Sequence, residues 1–205
     1  MPKVSLEYEQ AQRERILEGA AQSFADKGYR QTSIDEIARN LGISKGAVYI
    51  YFKSKEELFV AIFAQYLAED RASLDSCVAG TAPLEVKLEK VLDAFLASLF
   101  DAEPIRARLL PEFWTEATRL PALQKLRNEN KRFDRDLLVK LLHQGLATSE
   151  VRADLNIIEV AEIILATCEG IVINNLTGRT VLSREEIKRA VRNTFALVIL
   201  PPTKN

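Results

Sequence analysis

The fold turns on one stretch: Ser33-Ile34-Asp35-Glu36-Ile37-Ala38-Arg39-Asn40-Leu41-Gly42-Ile43-Ser44-Lys45-Gly46-Ala47-Val48-Tyr49-Ile50-Tyr51-Phe52. Ser33 with Glu36 three residues later is a capping-box pattern that opens a short helix. Leu41-Gly42-Ile43 closes it, and Ser44 is a good N-cap for a second short helix. Ala38, Gly42 and Val48 fall four and then six residues apart. Two short helices that cross steeply need a small residue at the crossing, which Ala38 supplies. The turn needs a residue that accepts positive φ, Gly42, and the second helix needs an inward anchor, Val48. This spacing predicts a helix-turn-helix, whose second helix enters the DNA major groove.

On that reading the groove side carries Ser44, Lys45, Gly46, Ala47, Tyr49 and Tyr51. Small residues there allow close approach to base edges and thymine methyls. The Tyr49 hydroxyl can donate to a phosphate. Lys53 and Lys55 stand at the start of the next helix, where free backbone N–H groups also favour an anion. Thr32 and Ser33 are expected to cap the first helix and to touch a phosphate as well. Phosphate contacts set register, whereas Lys45 to Ala47 would read sequence. The same spacing also fits a plain helical hairpin with a solvated lysine face. Charge count does not separate the two, because residues 1–60 hold nine Lys/Arg and nine Asp/Glu. Placement favours DNA: Lys45, Lys53 and Lys55 share the docking side.

Outward from this stretch the chain reads as helix after helix, with no useful run of period-2 alternation. A first helix is expected from about Tyr8 to Lys27, stopped by Gly28. Ser54-Lys55-Glu56-Glu57 is a second capping box and opens a helix to about Cys77. Leu84 to Leu99 forms an amphipathic stripe. Pro104 and Pro111 bracket the start of a helix with Leu109, Phe113 and Trp114. Pro121 opens a long helix to about Leu146. Asn156–Thr177 is apolar over most of its circumference. Ser183-Arg184-Glu185-Glu186, a third capping box, leads a last helix that Pro201-Pro202 stops. The expected class is all-α with about nine helices: a helix-turn-helix module over residues 1–53, then a helical ligand-binding and dimerisation domain over 54–205.

Composition narrows the function. The chain has 205 residues, 47% hydrophobic and 28% charged, with formal net charge −1. Binding DNA by bulk charge is ruled out, so the cations must be placed locally. Cys77 and Cys168 are far apart and belong to no Cys/His cluster, so neither a disulfide framework nor a metal site is expected, and a reduced cytoplasmic protein is. Met1 to Gln10 is too polar for a signal peptide, and Glu159, Glu162 and Glu169 interrupt the most apolar segment, so no membrane span is expected. There is one histidine, His143, and no P-loop, GxGxxG or GxSxG. Neither an enzyme nor a cofactor is expected. The rival enzyme would have to rely on His143 or Cys168.

Gly28-x3-Thr32-x4-Ile37-Ala38-x3-Gly42-Ile43-Ser44-Lys45-Gly46-x2-Tyr49-x-Tyr51-Phe52-x-Ser54-Lys55-x2-Leu58 resembles the N-terminal signature of tetracycline-repressor (TetR) type transcriptional regulators. The match covers about the first third of the chain, with no departure at the signature positions. The resemblance implies a homodimer on a palindromic double-stranded operator, a variable ligand-binding domain, and release of DNA when a small-molecule effector binds. A DNA-binding factor of the same fold with no effector is the alternative.

Two further expectations concern the C-terminal part. The helix from Asn156 to Thr177 is either the centre of a monomer core or, with the last helix, half of a two-fold four-helix interface. The resemblance points to the last two helices as that interface. Polar residues inside apolar stripes are candidate effector contacts or helix ties. Asn130 and Gln144 lie in the stripe of Leu123, Leu126, Phe133, Leu137 and Leu141; Arg106, Phe95, Phe113 and Trp114 complete the candidate set. His143 falls off that stripe and is expected at the surface.

Overall fold

The computed structural model describes residues 5–200. Among them are nine α-helices: α1 Leu6–Lys27, α2 Ile34–Leu41, α3 Lys45–Tyr51, α4 Lys55–Val78, α5 Leu84–Phe100, α6 Pro104–Glu116, α7 Pro121–Ala147, α8 Ile157–Leu176 and α9 Arg184–Ile199. The all-α expectation holds. α1 begins earlier than its apolar spacing suggests because Ser5 caps it, accepting from the Tyr8 N–H at 3.2 Å. Pro111 lies inside α6, after Pro104 has opened it. The missing N–H falls on an exposed side, and the Thr115 hydroxyl donates to the Pro111 carbonyl at 2.9 Å. The Pro201-Pro202 stop lies outside the described residues.

The described chain forms two compact units, residues 5–68 with 103–127 and residues 69–102 with 128–200. In the first, Phe24, Ile37, Val48, Phe52, Leu58 and Phe59 are buried in one core. Aromatic rings continue it from Phe24 and Tyr29 through Phe59 and Phe63 to Phe113, which stacks on Phe63 with centroids 4.3 Å apart. α6 is tied to the turn after α1 by Arg30, which donates to the buried Glu116 carboxylate at 2.6 Å. The core positions the helix-turn-helix from behind.

The second unit has two smaller apolar clusters, one around Leu138, Leu141, Leu142, Ala161 and Ile164, the other around Leu96, Ile187 and Val191. Phe195 packs against both. Polar groups thread this unit. Arg71 donates from Nε to Asn130 Oδ1 at 3.0 Å, and Asn130 donates to Asp134 at 2.9 Å. Burial is the main cause that raises the Asp134 carboxyl to about 6, against the opposing pull of Arg71. Burial likewise pushes the Cys168 thiol up to about 12, which disfavours the thiolate. His143 is exposed. No described helix is long and apolar enough to cross a membrane.

Candidate nucleic-acid interface

Each helix of the pair is set by its caps. The Ser33 hydroxyl accepts from the Glu36 N–H at 3.3 Å, and the Ser44 hydroxyl from the Ala47 N–H at 3.1 Å. The Glu36 carboxylate also pairs with Lys27, and that hydrogen bond, with a lesser one from the Ser33 backbone, holds it below its usual range. Gly42 ends α2 in the left-handed region at φ 67°, ψ 30°. Its neighbour Ile43 donates back to the Ala38 carbonyl at 3.0 Å. Ala38 is buried at the crossing and Val48 is fully buried as the inward anchor. α1 closes over the turn: a Cβ on Gly19 would lie 2.5 Å from Leu41 Cδ2, and Arg15 donates to the Leu41 carbonyl at 2.8 Å.

The groove-side residues divide into groups. Ser44, Lys45, Gly46 and Tyr49 are exposed and Ala47 is half-buried. Lys45 pairs with Asp35 at 2.8 Å, and that hydrogen bond raises the ammonium's pKa. Tyr51 is half-buried against the core rather than presented to a groove. At 100° per residue it lies only about 60° from Val48, so it shares the inward side. Ile50, which is not among the expected groove residues, is 78% exposed. The same wheel finds it, about 200° from Val48 and so opposite the anchor. α3 thus offers one large aliphatic side chain to whatever it meets.

The flanking residues differ from expectation in two places. Thr32 does not cap α2. It is 2% exposed, and its hydroxyl donates to the Gly28 and Ser23 carbonyls at 2.9 and 3.2 Å, which fixes the turn after α1. Lys55 does not stand free. Its ammonium donates to the Tyr29, Thr32 and Arg30 carbonyls at 2.8, 3.0 and 3.3 Å, and sits 4.5 Å from the Tyr29 ring centroid. Burial lowers its pKa below the ordinary lysine value. Its side chain is therefore a bolt between the start of α4 and the α1–α2 turn. Ser33 and Lys53 are exposed, and the Lys53 N–H donates to the Glu57 carboxylate at 2.6 Å.

The effector candidates are divided between the two units. Phe113 belongs to the first core, Trp114 packs at its edge with the Arg127 guanidinium 4.3 Å above its ring, and Arg106 sits 5.1 Å over Tyr66. Phe95 joins the cluster of Leu96 and Val191. Asn130 acts as a tie between Arg71 and Asp134. Gln144 is exposed and lines a cleft in the second unit.

A paired-helix unit with small, cationic and aliphatic groups outward is what a major-groove reader requires, and comparison with known proteins agrees. The model of bacterial regulatory proteins of the tetR family matches residues 16–62, and that of the BetI-type transcriptional repressor C-terminal domain matches residues 85–199. The HTH-type transcriptional repressor KstR2 of Mycolicibacterium smegmatis is 32% identical over 154 residues, which are 72% of this chain and 71% of that protein. An uncharacterized HTH-type regulator of Bacillus subtilis, YhgD, is 37% identical over 81 residues, 40% of this chain and 42% of that protein. A putative transcriptional regulator from Saccharomonospora viridis, solved in complex with choline, shares the fold with TM-score 0.79 at 23% identity, over 94% of this chain and 99% of that one. The chain belongs to the tetR family and is a DNA-binding transcriptional regulator.

Proposed function

We propose that this regulator is a homodimeric cytoplasmic repressor that leaves a palindromic operator when a small molecule binds. Residues 1–53 would read DNA, and residues 54–205 would dimerise and take the effector. The observation that carries the DNA part is the outward set on α3 and its N-cap: Ser44, Lys45, Gly46, Tyr49 and Ile50 surround the buried Val48 without serving the core. Lys45 and Tyr49 suit phosphates or base edges, Gly46 and Ala47 allow close approach, and Ile50 suits a thymine methyl. Selection from a random DNA pool tests this. An enriched inverted repeat supports the reading; an enriched motif without two-fold symmetry, or no enrichment, contradicts it.

The dimer reading rests on α8 and α9. Ile163 is 62% exposed and Leu197 83% exposed, with Ile158, Ile173 and Val198 also outward. A two-fold pairing of these helices would cover them. Phe195 is a poor probe of such an interface because it packs within its own protomer. The double variant Ile163→Glu, Leu197→Glu should give a folded monomer by light scattering; an intact dimer refutes this interface. An effector shifts such a dimer off DNA only by its differential affinity for the two protomer arrangements.

A further inference from the structure

The second unit hides a cation. Lys87 of α5 is 7% exposed. Its ammonium reaches one described partner, Gln144 Oε1, at the long distance of 3.4 Å. An ammonium carries three donors, and burying it without a counter-charge is costly. Among the described residues no carboxylate makes an ion pair with it. Glu150 comes under its influence but is committed elsewhere: the Thr148 hydroxyl and then the Leu84 N–H, which donates at 2.9 Å, hold that carboxyl below its usual range, with the Lys87 charge a lesser cause.

Lys87 lines a cleft of about 240 Å³ between the end of α4, α5 and α7. The polar part of the wall is Lys87, Lys140 and Gln144; the apolar part is Val78, Leu137 and Leu141. No acid lines it. Two ammonium groups on a wall otherwise neutral set up a positive potential, and a hollow partly lined by aliphatic groups favours a ligand that is not all charge. The volume is below the roughly 300 Å³ at which drug-sized pockets begin, so the occupant is small.

We propose that this cleft binds a small organic carboxylate, its anionic head held by Lys87 and Lys140 and its short aliphatic body against Val78, Leu137 and Leu141. The carboxylate supplies the direct ion-pair partner that Lys87 lacks. Inorganic phosphate would answer the lysines but leave the aliphatic wall wet. A cation such as choline would meet like charge. That occupancy of this cleft bears on DNA rests on the effector reading above; the binding itself does not.

Isothermal titration of the full chain with hexanoate, in the absence of DNA, tests the site. Saturable binding is expected, about tenfold or more weaker in Lys87→Met. That variant should melt no lower than the parent, since a buried unpaired charge has been replaced by an aliphatic chain of similar length. The exposed Lys140→Met serves if Lys87→Met does not fold, and should weaken hexanoate several-fold on an unaltered fold. Hexanol, inorganic phosphate and choline should each bind more weakly than hexanoate. Absence of saturable hexanoate binding, full binding by the lysine variants, or phosphate binding as tight as hexanoate overturns the proposal. Because no DNA is present, such a failure leaves the repressor reading standing; hexanoate binding without any loss of operator affinity would sink only the link between the two.

Discussion

Lys45, the first residue of α3, donates to Asp35 in the first turn of α2 at 2.8 Å. The leading cation of the DNA-reading helix thus carries its own counter-ion. Both side chains are about half exposed, so solvent screens the pair and it adds little to stability. Its cost falls on binding, because DNA must displace Asp35 or tolerate a carboxylate beside its phosphates.

Asp35→Asn should therefore tighten DNA binding, by about threefold to tenfold at low salt, and steepen the dependence of affinity on salt by up to about one phosphate contact. Fluorescence anisotropy over a salt series checks this. Weaker binding with an unchanged fold would mean that the pair pre-positions Lys45 rather than competing for it.

Ile50→Ala should separate specificity from affinity. The side chain is too exposed to serve the core, so unfolding by urea should move by less than about 0.5 kcal/mol. Affinity for the selected operator should fall by about 1 kcal/mol, while affinity for scrambled DNA stays within twofold or so. Equal losses on both sequences would remove Ile50 from base reading.

Lys55→Met should act through the fold. It removes three charge-assisted hydrogen bonds to the turn carbonyls and a cation–π contact with Tyr29. A loss of about 1–3 kcal/mol in chemical unfolding is expected. A protein as stable as the parent that binds all DNA more weakly would instead make Lys55 a phosphate contact.

Much of this architecture can be read from local chemistry. Ser33, Ser44 and Ser183 all cap where the sequence places them, and Gly42 takes the left-handed turn conformation. These devices act within a few residues, so spacing exposes them. The departures depend on packing. Thr32 turns inward to Ser23, and Lys55 reaches carbonyls more than 20 residues away. A polar residue's type does not say whether its atoms serve solvent, a partner or the backbone. Ile50 and Lys87 invert the ordinary rule of burial, and only the packed arrangement around them shows that inversion.

Asp134 makes the second unit sensitive to pH. Its folded-state pKa, about 6, lies above the ordinary 3.8. A carboxyl raised on folding favours the folded state when protonated, so this stability is present below about pH 4 and is lost as pH rises through about 6. A shift of about 2 units sets an upper bound near 3 kcal/mol. In Asp134→Asn that decline should be missing from a comparison of urea unfolding at pH 4.5 and 7.5. An unchanged pH profile would show that Arg71 keeps Asp134 ionised in the folded protein.

The central claim is that α3 of each protomer docks against base edges. A methylation-interference footprint on the selected operator tests it most directly. Guanine N7 interference should appear in two major-groove patches, on one face of the duplex and separated by about one helical turn or a multiple of it. A single patch, or interference confined to the minor groove, would contradict the account.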